Sequence, residues 1–122
     1  MAEENKAFVV QKHVRGGETH WDLMLEKDDF LLTFRVYKSP KELPGQSVKA
    51  VKIFDHPKKF LTYEGTVNKG KGSVQIADKG TFQIQSQNSS RIEMILTGRI
   101  LKGCFTLNQL EGDQWQFAPA TQ

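Results

Sequence analysis

The stretch Phe8–Leu25, FVVQKHVRGGETHWDLML, holds two of the three histidines of the chain and decides how the rest is read. It reads as one β-hairpin. His13 closes the first arm, Gly16 and Gly17 occupy the connection, and His20 and Asp22 follow on the second arm two residues apart. Strand residues two apart point to the same face. His20, Asp22 and Met24 therefore project together, while Trp21, Leu23 and Leu25 project the other way. One face carries chemistry and the other carries core.

Outward from this hairpin, the chain breaks into short runs rich in Val, Ile, Phe, Leu and Thr, separated by Gly, Pro, Asn and Asp at the intervals of an antiparallel β-domain. Strands are predicted at 7–13, 20–26, 29–37, 47–54, 61–67, 72–78, 80–86, 91–98, 100–107 and 114–118. Ser39-Pro40-Lys41-Glu42 suits a single helical turn that Pro44 stops. Asp55-His56-Pro57 marks a turn, Asn68 to Gly72 a glycine-rich hairpin loop, Ala77 to Gly80 another turn, and Gln85 to Arg91 a polar loop. Met1 to Lys6 is polar and expected to fray. Many short strands without a long helix predict an all-β fold: a compact antiparallel β-barrel of about eight to ten strands, with one or two helical turns at most.

A chain of 122 residues is the size of one domain, spanning 1–122, and buries roughly two-thirds of its unfolded surface. No apolar run approaches the roughly 20 residues of a membrane helix, and MAEENKAF lacks the apolar stretch of a signal peptide. These features predict a cytoplasmic protein without a membrane partner, and a monomer. The single cysteine, Cys104, fits a reducing compartment and reads as a small residue packed in a strand. Net charge is +3, with lysines clustered in Lys49–Lys59 and Lys69–Lys79. Such clusters suit a polyanion such as nucleic acid, although lysines on strand edges also guard against aggregation.

Two imidazoles and a carboxylate are the first candidate for chemistry. If His13 lies across the hairpin from His20, cross-strand Cβ atoms about 5 Å apart let His13, His20 and Asp22 share one ion. Two nitrogens and one oxygen suit Mn²⁺, Fe²⁺, Co²⁺ or Zn²⁺. A surface histidine is also commonly inert, and a His-x-Asp triplet arises by chance, so the hairpin alone leaves both readings open. His56, on its turn, suits either a proton donor or a turn cap. No serine or cysteine nucleophile sits in a recognisable motif, and Gly70-Lys71-Gly72 lacks the helix of a phosphate-cradling loop.

FVVQKH, HWDLMLE, DHPKKF followed by YEG, GSVQIADKGTF, and LKGCFTL with a late tryptophan occur in that order. The series resembles the 3'-phosphoesterase domain of bacterial DNA ligase D and its stand-alone relatives, from Phe8 to about Phe117. The resemblance implies a β-barrel that binds manganese and heals DNA 3' ends, removing a terminal ribonucleoside and then the 3'-phosphate. It further implies metal ligation by His13, His20 and Asp22, and a role at the phosphate for His56. Nucleic-acid 3' ends are the implied partner, together with a repair ligase or polymerase.

Several positions depart from the family pattern. An arginine that clamps phosphate is Met24 here, and a tyrosine four residues after the DHP histidine is Phe60. The first connection is one residue longer, and the N-terminal arm that carries further catalytic side chains is essentially absent. Metal binding survives these changes better than catalysis, because methionine cannot supply a charged bidentate grip. A hairpin turning at Lys27-Asp28 would set Met24 opposite Leu31, Asp22 opposite Thr33 and His20 opposite Arg35, bringing Arg35 into the site as a substitute. A register slip of one residue would turn it away. Lys38, Lys49 and Lys52 are candidates for the nucleic-acid backbone. The leading expectation is a metal-dependent phosphoesterase for DNA or RNA 3' ends in DNA end repair; the competing one is a DNA-end or protein binding module of the same fold that has lost turnover.

Overall fold

The computed structural model describes residues 6–120. The expected fraying of Met1–Asn5 lies outside the described residues, and Lys6 already belongs to the first strand. Nine antiparallel strands form one sheet: β1 (Lys6–Arg15), β2 (Glu18–Glu26), β3 (Leu31–Val36), β4 (Val48–His56), β5 (Gly65–Val67), β6 (Gly72–Asn88), β7 (Arg91–Gly98), β8 (Lys102–Glu111) and β9 (Gln114–Pro119). Neighbours run β1-β2-β3-β4-β9-β8-β7-β6, and β6 pairs back with β1. That last pairing closes the ring, so the eight main strands have a partner on each side and no long edge is left to template aggregation. β5 is a short addition beside the start of β6.

Alternation places the core. Phe8, Val10, Leu23, Leu25, Phe34 and Val36 point inward with Met94, Leu96, Phe105, Leu107 and Phe117, and all are buried. Each fully buried side chain of this size contributes about 1.5–3 kcal/mol of transfer free energy. The opposite face of β1, β2 and β3 would normally meet water. Here the segment after β4 folds back across it: a 3-10 helix at Lys58–Leu61 leads to β5, and Val9, Met24 and Leu31 pack beneath Phe60, Leu61 and Ile76 as a second, smaller cluster.

The barrel and the opening hairpin match the sequence reading, whereas several local elements do not. Residues 72–88 form one strand rather than two separated by a turn at Ala77–Gly80. The irregularity there is a bulge between Asp78 and Ile76, opposite Val10 and Gln11. Asp78 is 1% exposed, and its carboxylate accepts the backbone N–H groups of Lys79, Arg99, Ile100 and Leu101. An aspartate that reads locally as a turn former thus stitches the β7–β8 connection from within a strand. Gly80 is required there for another reason: a Cβ would lie 2.0 Å from the Thr97 carbonyl oxygen.

The expected strand at 61–67 shrinks to Gly65–Val67, since Lys58–Leu61 is helical. The expected polar loop at Gln85–Arg91 is mostly strand, closed by a tight turn at Ser89-Ser90. Pro44 does not stop the turn begun at Ser39. It sits in the first positions of a 3-10 helix, Leu43–Gly45, where no N–H is needed.

Candidate functional site

β1 and β2 pair with His13 directly opposite His20, and Gln11 opposite Asp22. A two-residue connection at Gly16-Gly17 sets this register, with Gly16 at φ 61 in the left-handed region that hairpin turns of this length demand. His13 Nδ1 lies 3.0 Å from His20 Nε2, and His20 Nε2 lies 3.6 Å from Asp22 Oδ2. One donor atom from each of the three residues falls within 4.8 Å of the others. Asp22 is only 3% exposed.

The donor set fits a divalent ion. Metal–ligand bonds of about 2.0–2.2 Å separate adjacent donors by roughly 3.0–3.6 Å in tetrahedral or octahedral coordination, which matches the His13–His20 and His20–Asp22 separations. Burial lowers the pKa of both His13 and His20, and nearby Arg35 reinforces the shift against the opposing pull of Asp22. Both rings are therefore neutral at pH 7, the form that offers a lone pair. A ligating His13 Nδ1 leaves the ring proton on Nε2, a buried atom without a hydrogen-bond partner among the described residues. That atom faces Gly72, where a Cβ would stand 2.9 Å away. Gly72 thus makes room for the ring.

Arg35 reaches this centre, by a different pairing from the one expected. Asp22 faces Arg35 and Met24 faces Thr33, a shift of two residues. The cause is a four-residue connection, 27–30, closed by Lys27 N–H donating to the Phe30 carbonyl at 2.9 Å. An even shift preserves the face. Arg35 Nε donates to Asp22 Oδ1 at 3.2 Å, leaving Oδ2 toward His20. Its side chain is a quarter exposed and makes no other side-chain hydrogen bond among the described residues.

His56 arrives by a bulge. On β4, Val51 lies opposite Arg35 and Ile53 opposite Thr33, yet His56 rather than Asp55 lies opposite Leu31. The extra residue flips the alternation and aims His56 at the face shared by Arg35 and Asp22, as β-bulges beside functional sites do. The Phe54 carbonyl can only accept, so His56 Nδ1 carries the proton, donating at 3.1 Å. Thr33 Oγ1, which donates to the Leu31 carbonyl, lies 3.0 Å from the same nitrogen. Nε2 is left as the uncommitted atom. Burial lowers this pKa too, against the pull of Asp22 and the Phe54 carbonyl.

These groups line one groove of about 760 Å³, with His13, His20, Asp22, Arg35 and His56 on its walls. Lys38, Lys49 and Lys52 are not among its lining residues; the basic side chains that are there are Arg15 and Arg35. The two family departures meet in one place. Met24 is 1% exposed and packs in the same small cluster as Phe60, so the two positions meet in apolar contact. Cys104 is buried in β8, away from the groove, and burial raises its pKa.

Gln11 escaped the sequence reading. It is 1% exposed, and its Nε2 donates to the carbonyls of Phe60 at 3.0 Å and Tyr63 at 2.9 Å, pinning the 3-10 helix over the groove. The available signal was its spacing of two from His13, which sets it on the site face. Thr33 shared that signal through its spacing of two from Arg35, but its contact with His56 depends on the β4 bulge; Gly72 had none, because its role depends on a strand distant in sequence.

The model of the DNA Ligase D 3'-phosphoesterase domain matches residues 11–109. The chain belongs to this family. Relatives include the multifunctional non-homologous end joining protein LigD of Mycolicibacterium smegmatis, 31% identical over 125 residues that cover 91% of this chain and 16% of that protein. The Mycobacterium tuberculosis H37Rv LigD is 31% identical over 122 residues, covering 92% of the chain and 16% of the relative. The Pseudomonas aeruginosa LigD is 29% identical over 120 residues, covering 90% and 14%. The chain spans about a sixth of the length of these relatives. The matched region of this 3'-phosphoesterase-family chain contains every groove residue discussed above. Among the described residues, no helix is long and apolar enough to cross a membrane.

Proposed function

We propose that this chain is a metal-dependent phosphoesterase that processes nucleic-acid 3' ends, removing a terminal ribonucleoside and a 3'-phosphate during DNA end repair. The observation that carries the reading is the convergence of His13, His20 and Asp22 within 4.8 Å, in the same groove as Arg35 and His56. The relatives' names place them in non-homologous end joining. We read the chain as serving the same task beside a repair ligase or polymerase.

His13, His20 and Asp22 would hold the ion, with manganese expected. When bound, it supplies Lewis-acid neutralisation of charge on a phosphoryl oxygen. Arg35 anchors through Nε, and its terminal nitrogens form a permanently charged donor pair for a phosphate, in place of the arginine replaced by Met24. His56 is held by its Nδ1–H, so Nε2 is the atom that works. In the free protein this ring is neutral at pH 7, and an arriving phosphate anion favours its protonation. The imidazolium then braces the phosphate; as a water oxygen bonds to phosphorus and gives up its proton to solvent, Nε2 passes its own proton to the leaving oxygen whose P–O bond breaks.

The apolar cluster of Met24 and Phe60 favours a second reading, in which the groove binds 3' ends without turnover. One experiment separates the two. The protein and its His20→Ala variant are incubated with Mn²⁺ and oligonucleotides ending in a 3'-phosphate or one ribonucleotide, and products are resolved on a denaturing gel. Shortening or dephosphorylation by the first protein alone supports the enzyme. Binding without conversion supports the module, and neither would overturn the assignment to 3' ends.

A further inference from the structure

Three large hydrophobic side chains are conspicuously exposed among the described residues, and two of them, Phe54 at 74% and Tyr37 at 61%, line the groove. Neither belongs to a core cluster. They mark the two ends of the row of polar groups: Phe54 precedes His56 by two residues, and Tyr37 follows Arg35 by two, just beyond the end of β3. Phe54 is fixed on one side, its ring stacked on His56 at 4.7 Å between centroids and 14° between planes. With most of its surface in solvent, it is a flat aromatic surface with a preset orientation. Tyr37 stands edge-on to His20 at 6.3 Å. Exposed aromatics cost solvation without adding stability, and aromatic faces are what unpaired nucleobases stack on.

We propose that Phe54 and Tyr37 are base-stacking platforms on either side of the phosphate position, so that the groove seats a phosphodiester with a nucleoside at each end. This rests on the reading of the groove as a nucleic-acid 3'-end site. The spacing adds a condition. His56 touches Thr33 in β3, and the four residues from there to Tyr37, just past the strand end, span roughly 13 Å of backbone at about 3.3 Å each. Stacked nucleotides advance only about 3.4 Å along a strand, so the two bases must be splayed apart. The substrate is therefore an unpaired 3' tail whose last two bases have left their stack, one on each platform. Phosphomonoester ends occupy one platform only.

The test is binding by fluorescence anisotropy of single-stranded oligonucleotides with a hydrolysis-resistant 3'-terminal phosphorothioate link, in Mn²⁺. Either the last base or the penultimate base is replaced by an abasic unit. Each aromatic-base contact is expected to contribute about 5- to 150-fold in affinity. The intact protein should lose that factor on removal of either base. Phe54→Ala should lose it with the intact oligonucleotide and show no further penalty at one of the two abasic positions, Tyr37→Ala should do the same at the other, and Phe54→Trp should restore the base dependence. This coupling to one base is a readout that a change in His56 packing would not produce, and Phe54→Leu checks that loss of the ring rather than of bulk is responsible. Base removal that costs the intact protein nothing, or costs Phe54→Ala as much as the intact protein at both positions, overturns the platforms while leaving the 3'-end reading standing. Absence of binding to every oligonucleotide overturns both.

Discussion

Replacing Arg35 by alanine should destabilise the metal-free protein and strengthen its response to metal. Asp22 is 3% exposed, and Arg35 Nε, at 3.2 Å, is the nearest donor to its carboxylate among the described residues, with His20 Nε2 farther off at 3.6 Å. Stranding a buried acceptor costs about 1–3 kcal/mol; because Arg35 is itself partly exposed, about 1–2 kcal/mol is expected. Unfolding entropy near 60 °C is about 2.1 cal/mol/K per residue, so for 122 residues 1 kcal/mol corresponds to about 4 °C in Tm. Tm in EDTA should thus fall by about 4–8 °C. A divalent ion on Asp22 then replaces the lost cation. At a hundredfold excess over Kd, metal stabilises by about 2.7 kcal/mol in any protein. At equal metal concentration the rise in Tm should be larger for Arg35→Ala than for the parent, because no guanidinium competes for the carboxylate. Differential scanning fluorimetry with graded Mn²⁺ measures both effects. A variant that melts with the parent in EDTA, or gains no more from Mn²⁺, would refute the view that Arg35 and metal share Asp22. Turnover should fall in this variant even when metal is saturating, if Arg35 also grips the phosphate.

Other expectations are narrower. Gly72→Ala drives a Cβ to 2.9 Å from His13 Nε2 and 3.2 Å from the Val14 carbonyl oxygen, so the ring must turn; Mn²⁺ affinity by calorimetry should drop about 10- to 100-fold with the circular-dichroism spectrum retained. Gln11→Ala removes two hydrogen bonds to the carbonyls of Phe60 and Tyr63 and should cost about 1–3 kcal/mol, with faster amide exchange confined to residues 57–67. Acid should weaken the metal-free fold early. His13, His20 and His56 have folded pKa values below the unfolded value of about 6.5, so the unfolded chain binds more protons as pH falls through that value. Their contribution is flat above about 6.5 and is lost as pH drops toward the folded values; urea midpoints that stay constant from pH 7 to pH 5 in EDTA would contradict it. Glu26, whose carboxyl is held low chiefly by the Ala7 N–H, adds a second loss below its ordinary range.

The sequence by itself determined the hairpin. Its two-residue spacing put His20, Asp22 and Met24 on one face and Leu23 and Leu25 in the core, because strand alternation is a local property of the backbone. It determined the closed all-β class for the same reason, and the ordered motifs pointed to the family. Arg35 was also legible as a neighbour of the site, since its face depends only on the parity of the register. Its partner was not: the length of the 27–30 connection moved it from His20 to Asp22. Tertiary structure alone decided the direction of His56, which a β4 bulge turns into the groove, and the burial of Asp78 within a strand where local chemistry reads as a turn. It also decided the joining of Met24 and Phe60, 36 positions apart, into one apolar cluster. Each of these outcomes depends on which distant strand supplies the other half of a contact. Alternation cannot specify that, because it records the face of a side chain and not the neighbour across the sheet.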